Sequence, residues 1–188
     1  MNKCPWALSS LAEEYYHDTE WGVPVHDDRL LFEFLILEGA QAGLSWATVL
    51  NKRTGYQQAF DQFGVQKIAQ YSEQKQQALI TNPEIIRNKL KIKSAVTNAQ
   101  AFIKIQQEYG SFDCYIWSFV NGQTINNAWQ SMGQVPAVSA ESEAMSHSLK
   151  KHGFKFVGAT ICYAYMQAIG MVNDHLISCP RHVEVSMT

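Results

Sequence analysis

Residues 149–170 read LKKHGFKFVGATICYAYMQAIG. The stretch has the form of a helix end, a short glycine-bounded hairpin and a second helix. Gly153 closes the first helix, FKFVG makes the turn, and ATICYAYMQAI resumes helical periodicity until Gly170. Such a unit can seat a DNA phosphate. Gly153 and Gly158 let the backbone approach closely, and the N–H groups that open the second helix point at the anion. Lys150, Lys151 and Lys155 add positive charge beside it. The same pattern also describes an ordinary helical hairpin with a glycine C-cap.

Upstream of the hairpin, helical signals continue. Pro136 and Ser139 introduce AESEAMSHSLKKH, with Glu141 and Glu143 near its start and Lys150 and Lys151 near its end. That order of charge matches the helix dipole. Asp27 or Asp28 caps a helix running into LLFEFLILEGAQAGLSWATVL, residues 30–50, which is too long and apolar for a strand. Gly39 and Gly43, one turn apart, either bend that helix or admit a neighbouring backbone. Helices are expected from Lys67 to Leu79 and from Pro83 to Phe102, the second carrying Ile85, Ile86, Ile92, Ala95, Val96, Ala99 and Phe102 on one side. Ser111 to Gly133, rich in aromatic and amide residues, declares no element. With no run of alternating strands, the expected fold is all-α, in one unit spanning 1–188.

The composition suits a packed domain: 188 residues, 46% hydrophobic and 17% charged. The first residues lack the plan of a signal peptide, and no apolar run approaches the roughly 20 residues that span a bilayer. A soluble cytoplasmic protein without a membrane partner is the expectation. The net charge of −2 gives no support for a nucleic-acid partner, because many such domains are strongly basic. Positive charge is nevertheless clustered, at Arg87, Lys89, Lys91 and Lys93 and again at Lys150, Lys151 and Lys155. These are solvated helix faces or local contacts to a duplex.

Four cysteines, at positions 4, 114, 162 and 179, are too sparse for a secreted disulfide scaffold. Cys4 and His17 lie near one end of the chain, and His175 and Cys179 near the other. The second pair is spaced i, i+4, so on a helical turn both side chains share a face. Two thiolates and two imidazoles complete a closed tetrahedral site for zinc. Four protein ligands leave no position for water, so one structural ion would pin the termini together; the alternative is that the four are unrelated. Cys114 and Cys162 read as buried thiols, and His26, His147, His152 and His182 as surface histidines.

Aromatic residues crowd the first third: Trp6, Tyr15, Tyr16, Trp21 and Trp46. Most such rings pack a core, but an enzyme that acts on a base must flip it out of the duplex and hold it by stacking. Glu38, between Leu37 and Gly39 in the apolar helix, is either a surface residue or a buried carboxylate that needs a specific partner.

Taken together, these residues resemble the bacterial 3-methyladenine DNA glycosylase I family, within the helix-hairpin-helix DNA glycosylase superfamily. The resemblance is carried by Cys4-Pro5-Trp6, YHDTEWGVP from Tyr16 to Pro24, LEGAQAGLSWATVL from Leu37 to Leu50, and IIRNKLKI from Ile85 to Ile92. WSFVNG from Trp117 to Gly122 and GFKFVGATICYAYMQAIGMVNDH from Gly153 to His175 complete it. It implies a helix-hairpin-helix lobe over about residues 22–170, stapled by a structural zinc on Cys4, His17, His175 and Cys179 that joins the segments 1–21 and 171–188. It implies that Glu38 is catalytic, reading the adenine edge of a flipped N3-methyladenine, with Tyr16, Trp46, Trp6 and Trp21 binding the base. The partner implied is double-stranded alkylated DNA, bound by a monomer.

In the wider superfamily a lyase lysine follows the second hairpin glycine, whereas here Ala159 and Thr160 follow Gly158. Relatives also use an aspartate shortly after the motif. Here that place falls on Asn173, or on Asp174 after a shift of one residue. Both observations imply base excision without strand cleavage. One departure from the family is Glu13, where a tyrosine often stands, with Tyr15 adjacent to Tyr16 instead. Rival readings are a non-catalytic reader of damaged DNA and a zinc-dependent hydrolase.

Overall fold

The computed structural model describes residues 2–187 and is mostly helical. Met1 and Thr188, the ends of the expected 1–188 unit, lie outside the described residues. A 3-10 turn at Pro5–Ser9 leads into α1 (Leu11–Thr19), α2 (Asp28–Gln41), α3 (Trp46–Leu50) and α4 (Arg53–Ala59). There follow α5 (Val65–Ile68), α6 (Glu73–Thr81), α7 (Lys89–Tyr109) and α8 (Phe112–Trp117). The chain ends with β1 (Ile125–Asn126), α9 (Ala140–Lys151), α10 (Ala159–Ala168), β2 (Val172–Asn173) and α11 (Pro180–Ser186).

The centre of the molecule is α2, in which every residue from Leu31 to Ala40 is buried. Helices α3, α7, α8 and α10 all pack against it. Phe32 on α2 meets Phe102 of α7 edge-on at 5.2 Å, and Phe102 stacks on Phe112 of α8 at 4.0 Å. Tyr165 of α10 closes the layer, its hydroxyl donating to the Leu31 carbonyl at 3.0 Å. The two adjacent aspartates divide their work. Asp27 caps α2 by accepting from Leu30 N at 2.9 Å, while the Asp28 carboxylate accepts from Phe112 N and Asp113 N at 3.0 and 2.8 Å and so caps α8.

Three expected helices are cut differently. The long apolar run breaks after Gln41: Ala42 leaves helical geometry, Gly43 sits at φ +79°, and Ser45 starts α3 by accepting from Thr48 N. Hydrophobicity continues across the break, but left-handed backbone and a fresh cap end the helix regardless. The segment from Lys67 to Leu79 divides into α5 and α6, because Ser72 caps the second helix. The helix expected from Pro83 begins only at Lys89, where Asn88 accepts from Leu90 N and Lys91 N, and it runs on to Tyr109. The undeclared stretch supplies β1, which pairs in parallel with β2 in the register Ile125↔Val172.

The stretch LKKHGFKFVGATICYAYMQAIG falls in an α9–turn–α10 unit. Ser139 caps α9, and Gly153 closes it at φ +93°. The turn is held from behind by α7. Buried Asn98 accepts from Lys155 N at 2.8 Å and donates to Lys155 O at 3.0 Å, while Ser146 donates to Val157 O at 2.6 Å. The turn packs on α2 at Gly39, where a Cβ would come within 3.3 Å of Phe156 Cβ. Gly39 therefore admits a neighbour, and Gly43 ends the helix.

The double contact of Asn98 makes it the clamp of the hairpin. Replacing Asn98 with Ala leaves two backbone groups without their partner and is expected to destabilise the fold by about 1–3 kcal/mol. Urea unfolding should show a lower midpoint with an unchanged m-value.

Candidate active site

Five expected residues converge on one cleft of about 260 Å³: Trp6, Tyr16, Trp21, Glu38 and Trp46. Each comes from a different place in the fold. Trp6 lies in the 3-10 turn, Tyr16 on α1, Trp21 just after it, Glu38 on α2, and Trp46 opens α3. The rings form a continuous wall. Tyr16 is 5.3 Å from Trp46 and 6.4 Å from Trp6, and Trp6 meets Trp21 edge-on at 5.0 Å.

The polar groups of this wall are unpaired. Tyr16 Oη and Trp46 Nε1 are buried without a hydrogen-bond partner. Glu38 is 4% exposed and has no hydrogen bond or ion pair among the described residues. Burial pushes its carboxyl up to about 8, so it holds its proton at neutral pH. Burial also drives the Tyr16 phenol well above its ordinary range, which leaves it a hydrogen-bond donor. Buried polar groups are nearly always satisfied, and three unsatisfied ones on one aromatic cleft mark a place for a polar, planar ligand.

The cleft is framed by two further features. Lys91 does not belong to a solvated face: its Nζ turns inward and donates to the carbonyls of Ala40 and Ala42 at 2.7 and 2.8 Å, satisfying the end of the helix that carries Glu38. On the far side of Gly39 lies the hairpin with Gly153, Lys155 and Gly158, and the side chains of Lys150, Lys151 and Lys155 are exposed. No side chain caps α10. Its first N–H groups can therefore face an anion.

Behind the aromatic wall the two ends of the chain meet. Ligand atoms of Cys4, His17 and Cys179 lie within 4.8 Å of one another, all buried, with Cys179 Sγ 3.5 Å from His17 Nε2. His175, the fourth expected ligand, stands beside this group rather than in it. Its ring is 4.9 Å from that of His17 and 4.6 Å from that of Trp21. The donor set suits a metal ion. Asp18 holds His17 Nδ1 at 2.8 Å and Asn173 holds His175 Nδ1 at 3.1 Å, so both Nε2 atoms are left as donors, and that of His175 is buried with no partner. The Leu176 N–H points at Cys4 Sγ from 3.4 Å.

Among known proteins, the methyladenine glycosylase family model matches residues 6–182. The chain belongs to that family. A relative from Escherichia coli strain K12, DNA-3-methyladenine glycosylase 1, is 44% identical over 179 residues, 95% of this chain and 96% of its own. The 3-methyladenine DNA glycosylase I of Staphylococcus aureus, solved to study 3-methyladenine recognition, superposes with a TM-score of 0.92 at 37% identity, covering 96% of both chains. A variant of a 3-methyladenine DNA glycosylase I solved in complex with 3-methyladenine superposes equally well, at 36% identity, over 96% of this chain and 97% of that one. By family membership the chain is an enzyme, a glycosylase of methylated adenine.

The sequence left several cleft residues of this glycosylase unassigned. Gln41, Met132, Ala164 and Gln167 also line it, as does Glu13, which in sequence is a departure from the family. Their periodicity marks Ala164 and Gln167 only as helical. Asp174 is engaged rather than free: it accepts from Asn127 Nδ2, Trp129 Nε1, Tyr163 Oη and Gln167 Nε2, all within 2.8 Å. Asn173 is equally committed, donating to Asn126, His182 and Ser186. Cys162 is buried as expected, whereas Cys114 is exposed on α8, because that helix turns its other face to the core. His26 and His147 are exposed, but His152 and His182 are half-buried and bonded to backbone carbonyls.

The raised Glu38 carboxyl has a consequence for stability. An acid whose folded-state pKa lies above its unfolded value contributes stability that is complete below about 4.5 and is lost as pH rises through about 8. Glu38→Gln removes that loss. The variant should match the parent near pH 5 and exceed it by several kcal/mol near pH 9, as read from denaturant midpoints at the two pH values.

Proposed function

We propose that this enzyme hydrolyses the N-glycosidic bond of N3-methyladenine in double-stranded alkylated DNA, flipping the base into the aromatic cleft. The observation that carries this reading is a pair of buried polar atoms without a partner on that cleft, Tyr16 Oη and Trp46 Nε1, beside a buried Glu38 carboxyl that makes no hydrogen bond among the described residues. Methylation at N3 makes the base cationic in the nucleotide. The ring faces of Tyr16, Trp46, Trp6 and Trp21 favour a cation. As it enters, Glu38 gives up its proton to solvent, and the carboxylate accepts hydrogen bonds from the adenine edge.

In the reaction the bond between the sugar carbon and the base nitrogen breaks, and its electron pair neutralises the leaving cation. Water adds to the sugar carbon and loses a proton, leaving an abasic site and an intact strand. Ordinary adenine carries no charge, so it is both the poorer ligand and the poorer leaving group. No lysine follows Gly158, and Asp174 and Asn173 are held by other side chains, which supports excision without strand cleavage.

The α9–turn–α10 unit serves as a helix-hairpin-helix element. Gly153, Gly158 and the α10 N-terminus meet a phosphate, and Lys150, Lys151 and Lys155 supply charge. One structural zinc on Cys4, His17, His175 and Cys179 staples the segments 1–21 and 171–188 to a lobe spanning about residues 22–170; the orphaned His175 Nε2 supports that fourth ligand. Such an ion holds the thiolates deprotonated and fixes the fold. The protein acts as a monomer in the cytoplasm. None of its described helices is long and apolar enough to cross a membrane.

The deciding experiment is chromatography of free bases released from DNA treated with a methylating agent, with strand length followed in parallel. Release of N3-methyladenine from intact strands is the expected result. A folded protein that binds the lesion tightly and releases nothing would be a reader of damage instead. Ionisation of Glu38 further predicts that kcat/KM rises with pH toward about 8 and that Glu38→Gln flattens this rise. Stripping zinc with a chelator should abolish activity and the folded circular-dichroism signal together. Loss of activity from a fold that stays intact would point to a catalytic metal.

A further inference from the structure

Charge is unevenly shared along this chain. Between Glu84 and Glu108 lie five Lys and Arg, between Glu143 and Asp174 three more, and neither stretch holds an acid. The fold sets the two stretches side by side, because Asn98 of α7 clamps both backbone groups of Lys155 in the hairpin turn. A chain of net charge −2 thus gathers eight of its 15 cations into neighbouring elements. Lys91 is turned inward to the Ala40 and Ala42 carbonyls, and the other seven are exposed.

A groove of about 370 Å³ runs between α7 and the turn, lined by Leu90, Lys93, Ser94, Thr97, Lys155 and Phe156. Its α7 residues are spaced i, i+3, i+4 and i+7, so they share one helix face. Leu90, 67% exposed, and the half-buried Phe156 give the groove apolar surface. Phe156 is held there at φ +57°, a left-handed backbone conformation that a bulky residue rarely adopts. The hydroxyls of Ser94 and Thr97 are spent on their own helix, donating to Lys91 O at 2.7 Å and to Lys93 O at 3.3 Å. Lys93 and Lys155 are therefore the side chains left to meet a polar partner.

A surface that is apolar within and cationic along its edges fits a chain that alternates apolar units with anions. The sugar-phosphate strand of a nucleic acid is such a chain, its phosphates taking the lysines and its sugars the apolar floor. We infer that this groove is a second backbone site, which holds the strand flanking the lesion with Lys93 and Lys155 on its phosphates and Leu90 and Phe156 against its sugars. The inference rests on the function proposed above, which places a phosphate at the hairpin. Lys155 belongs to both places, so a strand passes from the hairpin onto α7 without leaving cationic surface. The same arrangement reconciles an acidic protein with a polyanionic partner, because the field that matters is that of one face.

The test is an anisotropy titration of the intact protein with a labelled duplex bearing a central abasic-site analogue, repeated between about 50 and 200 mM salt. Lys93→Gln is expected to lower the slope of log K against log salt by about one. It should also weaken binding about fivefold to tenfold near 0.1 M salt, for the abasic and the undamaged duplex alike. Lys93→Arg, which keeps the charge, should keep the parent slope. Lys104→Gln removes an exposed cation from the same helix outside the groove and should leave the slope unchanged. A Lys93→Gln slope equal to that of the parent would overturn the inference. So would equal losses in Lys93→Gln and Lys104→Gln, since bulk charge would then account for both. A parent that binds no duplex would instead overturn the proposed function, and this inference with it.

Discussion

A carboxyl group buried without a partner is expensive, and Glu38 imposes that expense on the most buried helix of the fold. The same helix carries a second buried carboxylate, partnered through Oε1 while its Oε2 makes only a 3.7 Å ion pair with Arg29. Five residues earlier, Glu33 accepts from Arg53 Nε at 2.7 Å and from Gln57 Nε2 at 3.1 Å. Arg53 also grips Glu20 and lies over the Phe34 ring, so one guanidinium binds α4 to α2 and to the end of α1. Glu33 thus contributes to holding the helices around the cleft, while Glu38 is withheld from every such contact. Aromatic packing elsewhere in the core, from Phe32 through Phe102 to Phe112, contributes stability against that cost. A group maintained in that state has its partner supplied from outside.

The parts proposed to touch DNA are mechanically close to this group. Phe156, in the hairpin turn, rests against Gly39, the residue after Glu38, and α7 holds both sides: Asn98 clamps the hairpin while Lys91 caps the end of α2. A phosphate held at the hairpin and a base held at Glu38 are therefore referred to one rigid frame. The terminal Cys and His group frames the other side. His17 lies 5.5 Å from Trp6 and 6.1 Å from Trp21, so whatever fixes that imidazole also fixes two walls of the cleft. Stability and recognition share these contacts, so an ion of the kind proposed for this group would govern activity without touching the substrate.

Much of the frame was legible in local chemistry. Asp27, Ser139, Gly153 and Gly170 delimit helices by capping and backbone rules that act within a few residues. Reading failed where a local rule competed with hydrophobic pattern, as at residues 42–45 and at Ser72, since apolar content does not register a cap. It failed again where a side chain's partner lies far away in sequence: Lys91 looks like a member of a basic cluster until the carbonyls of Ala40 and Ala42 are seen beside it. The cleft was legible only through resemblance. Nothing in the spacing of Trp6, Tyr16, Glu38 and Trp46 announces that they meet, because they come from four elements whose packing is set by α2. Glu13 was visible as an oddity, but its place on the cleft wall was not.

The fate of the residues after α10 bears on how the reaction is driven. Asp174 gathers four donors from Asn127, Trp129, Tyr163 and Gln167, joining the segment beyond β1 to α10, and Asn173 ties β2 to α11. A carboxylate so occupied is a poor base for activating water, because its lone pairs are taken up by four donors. Yet one of those donors, Gln167, lines the cleft, so Asp174 acts there by fixing an amide rather than by moving a proton. On the proposed mechanism the barrier is then met chiefly by the leaving base, whose positive charge weakens its own bond, and by a cleft built to receive that charge. Such a division of labour confines the enzyme to bases that are already good leaving groups. Its selectivity and its economy of catalytic residues have the same origin.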